Sequence, residues 1–268
     1  MNKRESLGAR NDRIREGVRR RYRRMAAGGG CCDSGGCSDS CCATGSDPAS
    51  LQLGYTKKEL AEVPTAAVLG LGCGNPTALA SLKRGETVLD LGSGAGIDCF
   101  LAARKVGAKG RAIGVDMTPE MVSKARENAR RGRYSTVEFR LGEIEHLPVE
   151  DTSVDVVISN CVVNLAPDKG QVYREAFRVL RPSGRLAISD MVATRPMTAK
   201  ERSNPELWGS CSSGAIEVAQ LTRMLKRAGF RNIRFDLKLP KRVPESLRDP
   251  ARLGVVSADI SATKPRGR

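Results

Sequence analysis

From about residue 86 onward, apolar positions follow two alternating rhythms. Short runs rich in Val, Ile and Leu occur at 86–91 (ETVLDL), 111–115 (RAIGV), 136–140 (TVEFR), 154–159 (VDVVIS), 185–189 (RLAIS) and 231–237 (RNIRFDL), and they predict strands. Between them, apolar residues recur at helical spacing near 97–106, 119–131, 169–180 and 216–228. Thr118-Pro119 offers a cap followed by proline at the first helical position, and Gly229 marks the end of the last helix. Strand and helix alternating at this interval predict right-handed βαβ crossovers, hence an α/β fold with a doubly wound, mainly parallel sheet.

The flanking segments have a different texture. Residues 1–25 are rich in arginine, with helical character around Arg13 to Arg24. Residues 26–50 are built largely from Gly, Ser, Asp and Cys and hold five cysteines: Cys31, Cys32, Cys37, Cys41 and Cys42. So little apolar area cannot offset the entropy of ordering, so residues 1–50 are expected to form a flexible, basic and Cys-rich arm. Thr56 and Glu59 read as a capping box opening a short helix that stops before Pro64. The core then spans 51–195, a loop carrying Cys211 and the C-terminal part of the core spans 196–240, and 241–268 reads as a basic extension or disordered tail.

Composition narrows the function classes. Hydrophobic residues at 40% and charged residues at 28% fit a globular chain, and no apolar run approaches the length of a membrane span. A secretory leader is not expected either, because residues 1–24 stay dense in arginine. Of the net charge of +15, residues 1–30 hold a surplus of seven and residues 241–268 a surplus of four. These ends read as solvated tails. Tyr22 is the sole aromatic residue in them, so a base-stacking platform for nucleic acid is not expected. With a single histidine, His146, a multi-histidine metal site is excluded. Nine cysteines, an odd number without an export signal, point to reactive or soft-metal-binding thiols in a reducing cytoplasm. A monomer is the expected state.

The sharpest motif is Val88-Leu89-Asp90-Leu91-Gly92-Ser93-Gly94-Ala95-Gly96, a strand running through alternate glycines into a helix. Backbone there can pass close under a nucleotide-type ligand at the carboxyl edge of the sheet. The second strand ends in Asp116, placed to accept hydrogen bonds from ribose hydroxyls. The loop spacing is G-x-G-x-G with Asp90 two residues before it, and it resembles motif I of the class I S-adenosylmethionine-dependent methyltransferases, whose sheet is Rossmann-like. That resemblance implies S-adenosyl-L-methionine as cofactor, with Gly92, Gly94 and Gly96 under its methionine portion and Asp116 on the ribose. It also implies Glu143 at the adenine amine, with Asp90, Met117 and Asn160 nearby.

Four cysteines lie in or beside this domain. Cys99, inside a helix next to Phe100, reads as a small buried hydrophobe. Cys161 follows the fourth strand directly, and Cys73 and Cys211 sit among glycines and small residues, which is loop chemistry. Three thiolates without a histidine suit a soft, thiophilic centre such as zinc, although the absence of any C-x-x-C pair argues against an isolated metal knuckle.

The strings LGLGCGNPTALASLKRGETVLDLGSGAGIDCFLAARKVG, GVDMTPEMVSKA, LGEIEHLPVEDTSVDVVISNCVVNLAPDK and EAFRVLRPSGRLAISDMVAT resemble the arsenite methyltransferases over roughly residues 52–237. The resemblance implies that Cys161 and Cys211 hold trivalent arsenic. Cys73 would be a third thiolate, or a redox partner of Cys41 or Cys42. It further implies arsenite or its thiol conjugates as substrate and thioredoxin or glutathione as reductant. Competing readings are a quinone or other small-molecule C-methyltransferase, a non-enzymatic arsenical-sequestering thiol protein, and an RNA-directed protein using the basic ends.

Overall fold

The computed structural model describes residues 6–27, 48–198, 213–238 and 254–267. Cys31, Cys32, Cys37, Cys41, Cys42 and Cys211 lie outside the described residues.

Among the described residues, seven strands form one sheet in the order β3-β2-β1-β4-β5-β7-β6. The strands are β1 (Thr87–Leu91), β2 (Arg111–Asp116), β3 (Val137–Leu141), β4 (Val154–Asn160), β5 (Leu180–Ala193), β6 (Arg231–Lys238) and β7 (Val255–Thr263). The first five pair in parallel. The helices are α1 (Leu7–Ala26), α2 (Pro48–Gln52), α3 (Lys57–Ala61), α4 (Pro76–Leu79), α5 (Ile97–Val106), α6 (Pro119–Arg131), α7 (Lys169–Val179) and α8 (Val218–Ala228). Strand β1 reads Val-Leu-Asp-Leu and is buried on both faces, as a central parallel strand must be. One apolar cluster joins the sheet to α7 and α8, and another joins its opposite face to α5 and α6.

The capping box forms as expected: the Thr56 hydroxyl accepts from Glu59 N at 3.1 Å, and Thr56 N donates to Glu59 Oε2 at 2.9 Å. Thr118 makes no side-chain cap bond; its N–H donates instead to Asp116 Oδ1 at 2.8 Å.

Two expectations about the ends require correction. Residues 7–26 are a docked helix, not a flexible arm, because Val18 packs against Cys161 and Leu165, and Ile14 and Tyr22 join that cluster. Nor is 241–268 simply a tail. Strand β7 inserts antiparallel between β5 and β6 and buries Val256, Ala258, Ile260 and Ala262 on alternate positions. That period of two is present in VVSADISAT, where the surrounding Pro, Arg and Lys obscured it.

Candidate functional site

Strands β1, β2 and β4 all deliver their carboxyl ends to one cavity of about 330 Å³. Such a crevice outside the strand ends is where open α/β sheets take ligands. Its floor is the loop 92–96. Gly96 has φ +100° and a Cβ there would lie 2.6 Å from the Phe139 ring, so the turn into α5 requires glycine. Gly94, by contrast, faces open space, and its N–H donates to Asp116 Oδ2 at 2.9 Å. Asp116 thus braces the loop while lining the cavity. Burial raises its pKa, and the bonds from Thr118 and Gly94 oppose the rise.

Two further carboxylates share the cavity wall. Asp90 is buried, and desolvation together with the nearby Asp98 charge holds its carboxyl well above the usual range. Asp98, in the first turn of α5, is pushed up to about 6 by burial, opposed by hydrogen bonds from Tyr55 and Asn160 and by the Lys105 charge. The Tyr55 hydroxyl donates to Asp98 Oδ1 and Oδ2 at 2.9 and 3.0 Å. Cys99 is buried with a free thiol, as its helical setting suggests, and Sγ donates to Asp90 Oδ2 at 3.5 Å. Ser93 Oγ, within the loop, is buried without a hydrogen-bond partner. Anionic groups held out of water, with an orphan hydroxyl, fit a ligand that is cationic and rich in hydrogen-bonding groups, as S-adenosylmethionine is.

Two acids follow β3, Glu143 and Glu145. Glu143 does not line the cavity; it pairs with Arg15 at 3.4 Å and Arg19 at 3.5 Å on α1. The cavity-lining acid after β3 is Glu145, nearly buried and paired with Arg15 at 3.2 Å. Met117 and Asn160 do line the cavity. The Asn160 amide, however, is committed to the protein: Oδ1 accepts from Cys73 N at 2.9 Å, and Nδ2 donates to Tyr55 Oη at 3.0 Å and Gly74 O at 2.8 Å.

At the far wall the structure joins Cys73 and Cys161 in a disulfide with Cα atoms 5.7 Å apart. The resemblance implies Cys73 as a third thiolate or as a redox partner of Cys41 or Cys42; those two cysteines lie outside the described residues, and the partner of Cys73 among the described residues is Cys161. Cys161 has φ +59°, a left-handed conformation unusual for a residue with a side chain, held by its N–H on Ser189 O at 2.8 Å. The Cys73 carbonyl accepts from Ser257 Oγ of β7 at 2.7 Å. Asp190 of β5 brings a carboxylate oxygen within 4.8 Å of both sulfurs. Burial pushes Asp190 up to about 6, against bonds from Met191 N and Asn164 N. Residues Val18, Tyr22, Leu165 and Met191 surround the pair with apolar surface.

Tyr55, Asp190, Ser257 and the α1 residues have no local motif to betray them. Asp98 had one, an acid two residues beyond the last loop glycine.

Residues 82–229 match the family described as "Methyltransferase domain". The chain is 51% identical to an arsenite methyltransferase of Halobacterium salinarum, over 95% of this chain and 67% of that protein. It is 39% identical to one of Aquipseudomonas alcaligenes, over 80% of this chain and 61% of that protein. The human arsenite methyltransferase matches at 40% over 53% of this chain, which spans 40% of the human protein. The crystal structure of an arsenic(III) S-adenosylmethionine methyltransferase from Chlamydomonas reinhardtii superposes with a TM-score of 0.63 at 35% identity, covering 82% of this chain and 74% of that one. A Haemonchus contortus phosphoethanolamine N-methyltransferase with bound S-adenosyl-L-methionine, at 17% identity and a TM-score of 0.59, shares the fold. A glycine-floored acidic cavity, a thiol pair on its wall and these likenesses over nearly the whole chain lead to one conclusion: the chain belongs to the arsenite methyltransferase family of S-adenosylmethionine-dependent enzymes.

Proposed function

We propose that this protein methylates trivalent arsenic held on its own thiolates, with arsenite or a thiol conjugate of arsenite as the substrate. The observation that carries the reading is that Cys73 and Cys161, 88 residues apart in sequence, meet on the wall of the cofactor cavity. Cys211 is the proposed third thiolate.

S-adenosylmethionine, when bound, supplies an electrophilic methyl group on a cationic sulfonium. The chain's part is to hold and align. Asp98 provides negative charge out of water where a cation binds best, Asp90 lines the same wall, and Asp116 fixes the loop. Glu145 is the proposed adenine-side acid, in place of Glu143. Arsenic(III) on two or three thiolates retains its lone pair, so no general base is required, which accords with a chain holding a single histidine. Alignment then supplies most of the acceleration. Val18, Tyr22, Leu165 and Met191 keep water from the thiols.

The disulfide must open before arsenic can bind. Two electrons and two protons convert Cys73–Cys161 to two thiols, with thioredoxin or a glutathione-type thiol oxidised in return. A reducing cytoplasm suits this requirement, and among the described residues no helix is long and apolar enough to cross a membrane. The reading is tested by arsenite stoichiometry. Phosphine-reduced protein with serine at Cys31, Cys32, Cys37, Cys41 and Cys42 retains about one arsenic per chain after gel filtration, and the same protein unreduced retains less than about a tenth of that. Equal retention by both forms refutes the proposed thiol site.

A further inference from the structure

We infer that Tyr55 is a positioning residue that couples occupancy of the cofactor cavity to the geometry of the Cys73 thiol, through hydrogen bonds running from Asp98 to Tyr55 to Asn160 to the Cys73 backbone. The inference rests on the arsenite-methylation reading only in taking Cys73 as an arsenic ligand. The relay is continuous. Asp98 lines the cavity and accepts from Tyr55 Oη at 2.9 and 3.0 Å. Tyr55 Oη in turn accepts from Asn160 Nδ2 at 3.0 Å, and Asn160 Oδ1 accepts from Cys73 N at 2.9 Å.

Each link is fixed in direction. A flipped Asn160 amide would turn its NH₂ on the Cys73 N–H and its carbonyl on the Gly74 carbonyl, so the orientation follows from the backbone it grips. Tyr55 is 3% exposed, so its hydroxyl has no water with which to replace a lost partner. The gripped segment is also tightly fitted: a Cβ at Gly72 would lie 2.7 Å from the Asn160 amide, and one at Gly74 would lie 2.5 Å from Ser189. The segment therefore has little freedom to move independently of Asn160. Neither the glycine loop nor Asp116 reaches Cys73 in this way.

An ammonium group entering the cavity, which S-adenosylmethionine and S-adenosylhomocysteine both carry at their amino-acid end, competes with Tyr55 for the Asp98 oxygens. A weaker pull on the Tyr55 proton changes what Tyr55 accepts from Asn160, and the adjustment arrives at the Cys73 N–H. Coupling of this kind is reciprocal and measurable as a change in one ligand's affinity caused by the other.

The experiment uses full-length protein reduced with a phosphine, and measures arsenite affinity with and without saturating S-adenosylhomocysteine. In the wild type the cofactor product shifts arsenite affinity by about fivefold or more. In Tyr55→Phe both ligands still bind singly, and the shift shrinks to within about twofold of unity. An unchanged shift in Tyr55→Phe, or no shift in the wild type, overturns the inference. Amide exchange at Cys73 gives a second readout that needs no variant: S-adenosylhomocysteine alters its protection in the wild type, and unaltered protection overturns the relay. Failure of arsenite to bind the reduced wild type strikes instead at the arsenite-methylation reading.

Discussion

Asp98 and Asp90 show most directly how one residue's surroundings set its work. Both are buried with their charged forms disfavoured, and Asp98 is pushed up to about 6, above the usual carboxylate value. A cationic ligand favours ionised Asp98, so binding must displace a proton once the pH falls below about 6. The affinity for S-adenosylmethionine, measured by calorimetry between pH 5 and 8, is therefore expected to fall below pH 6 with a limiting slope of up to about tenfold per pH unit. Asp98→Asn removes that inflection and weakens binding at pH 7. The stability sign is opposite. A carboxylate whose folded pKa exceeds its unfolded value contributes a penalty that grows as pH rises from about 4 through 6. Unliganded Asp98→Asn accordingly melts higher than the wild type at pH 7, with the gain shrinking toward pH 5. A melting temperature at or below that of the wild type at pH 7 contradicts this account of the site.

At the scale of elements, the sequence was most legible where period and punctuation agreed. Helices α5 and α6 match the expected ranges, and strands β1 to β4 and β6 lie within a residue of theirs, because apolar runs there are bounded by glycine, proline or a cap. The site was half legible: loop 92–96, Asp116 and Cys161 follow strands whose ends could be read and Cys73 sits in a glycine-rich loop, whereas Tyr55 and Ser257 arrive by tertiary packing. Helix α1 was misread because its arginines suggested solvent. Arg15, Arg19 and Arg23 instead meet Glu143, Glu145 and Glu120, while Val18 turns inward. Val18→Asp places an uncompensated charge against Cys161 and Leu165 and is expected to undock α1. Alkylation of Cys161 in reduced protein should then quicken at least about tenfold, the equivalent of 1.4 kcal/mol of lost cover, and an unchanged rate contradicts the capping role. Strand β7 was missed for a related reason, a short alternating run inside a basic stretch. Ile260, 1% exposed between β5 and β6, anchors it. Ile260→Ala should cost about 2–5 kcal/mol in denaturant unfolding, with a much smaller loss showing that β7 is peripheral to the folded unit.

Across the whole molecule, the thiol site draws on segments far apart in sequence. Cys73 precedes the sheet, Cys161 follows β4 directly, Asp190 belongs to β5, Ser257 to β7, and α1 covers them. The protein's large positive charge is partly spent in this closure, since three of the α1 arginines neutralise acids around the cavity. The central claim is that arsenic is methylated on thiolates beside the cofactor, and the most direct measurement is product formation. Purified protein is incubated with S-adenosylmethionine, a thiol reductant and arsenite, and methylated arsenicals are separated and quantified by arsenic-specific detection. Wild-type protein is expected to form arsenite-dependent methylated product, and Cys161→Ser to form less than about a hundredth as much, a loss near 2.7 kcal/mol of transition-state stabilisation, while still binding S-adenosylmethionine. Comparable product from Cys161→Ser, or none from a wild type that binds both ligands, contradicts the account.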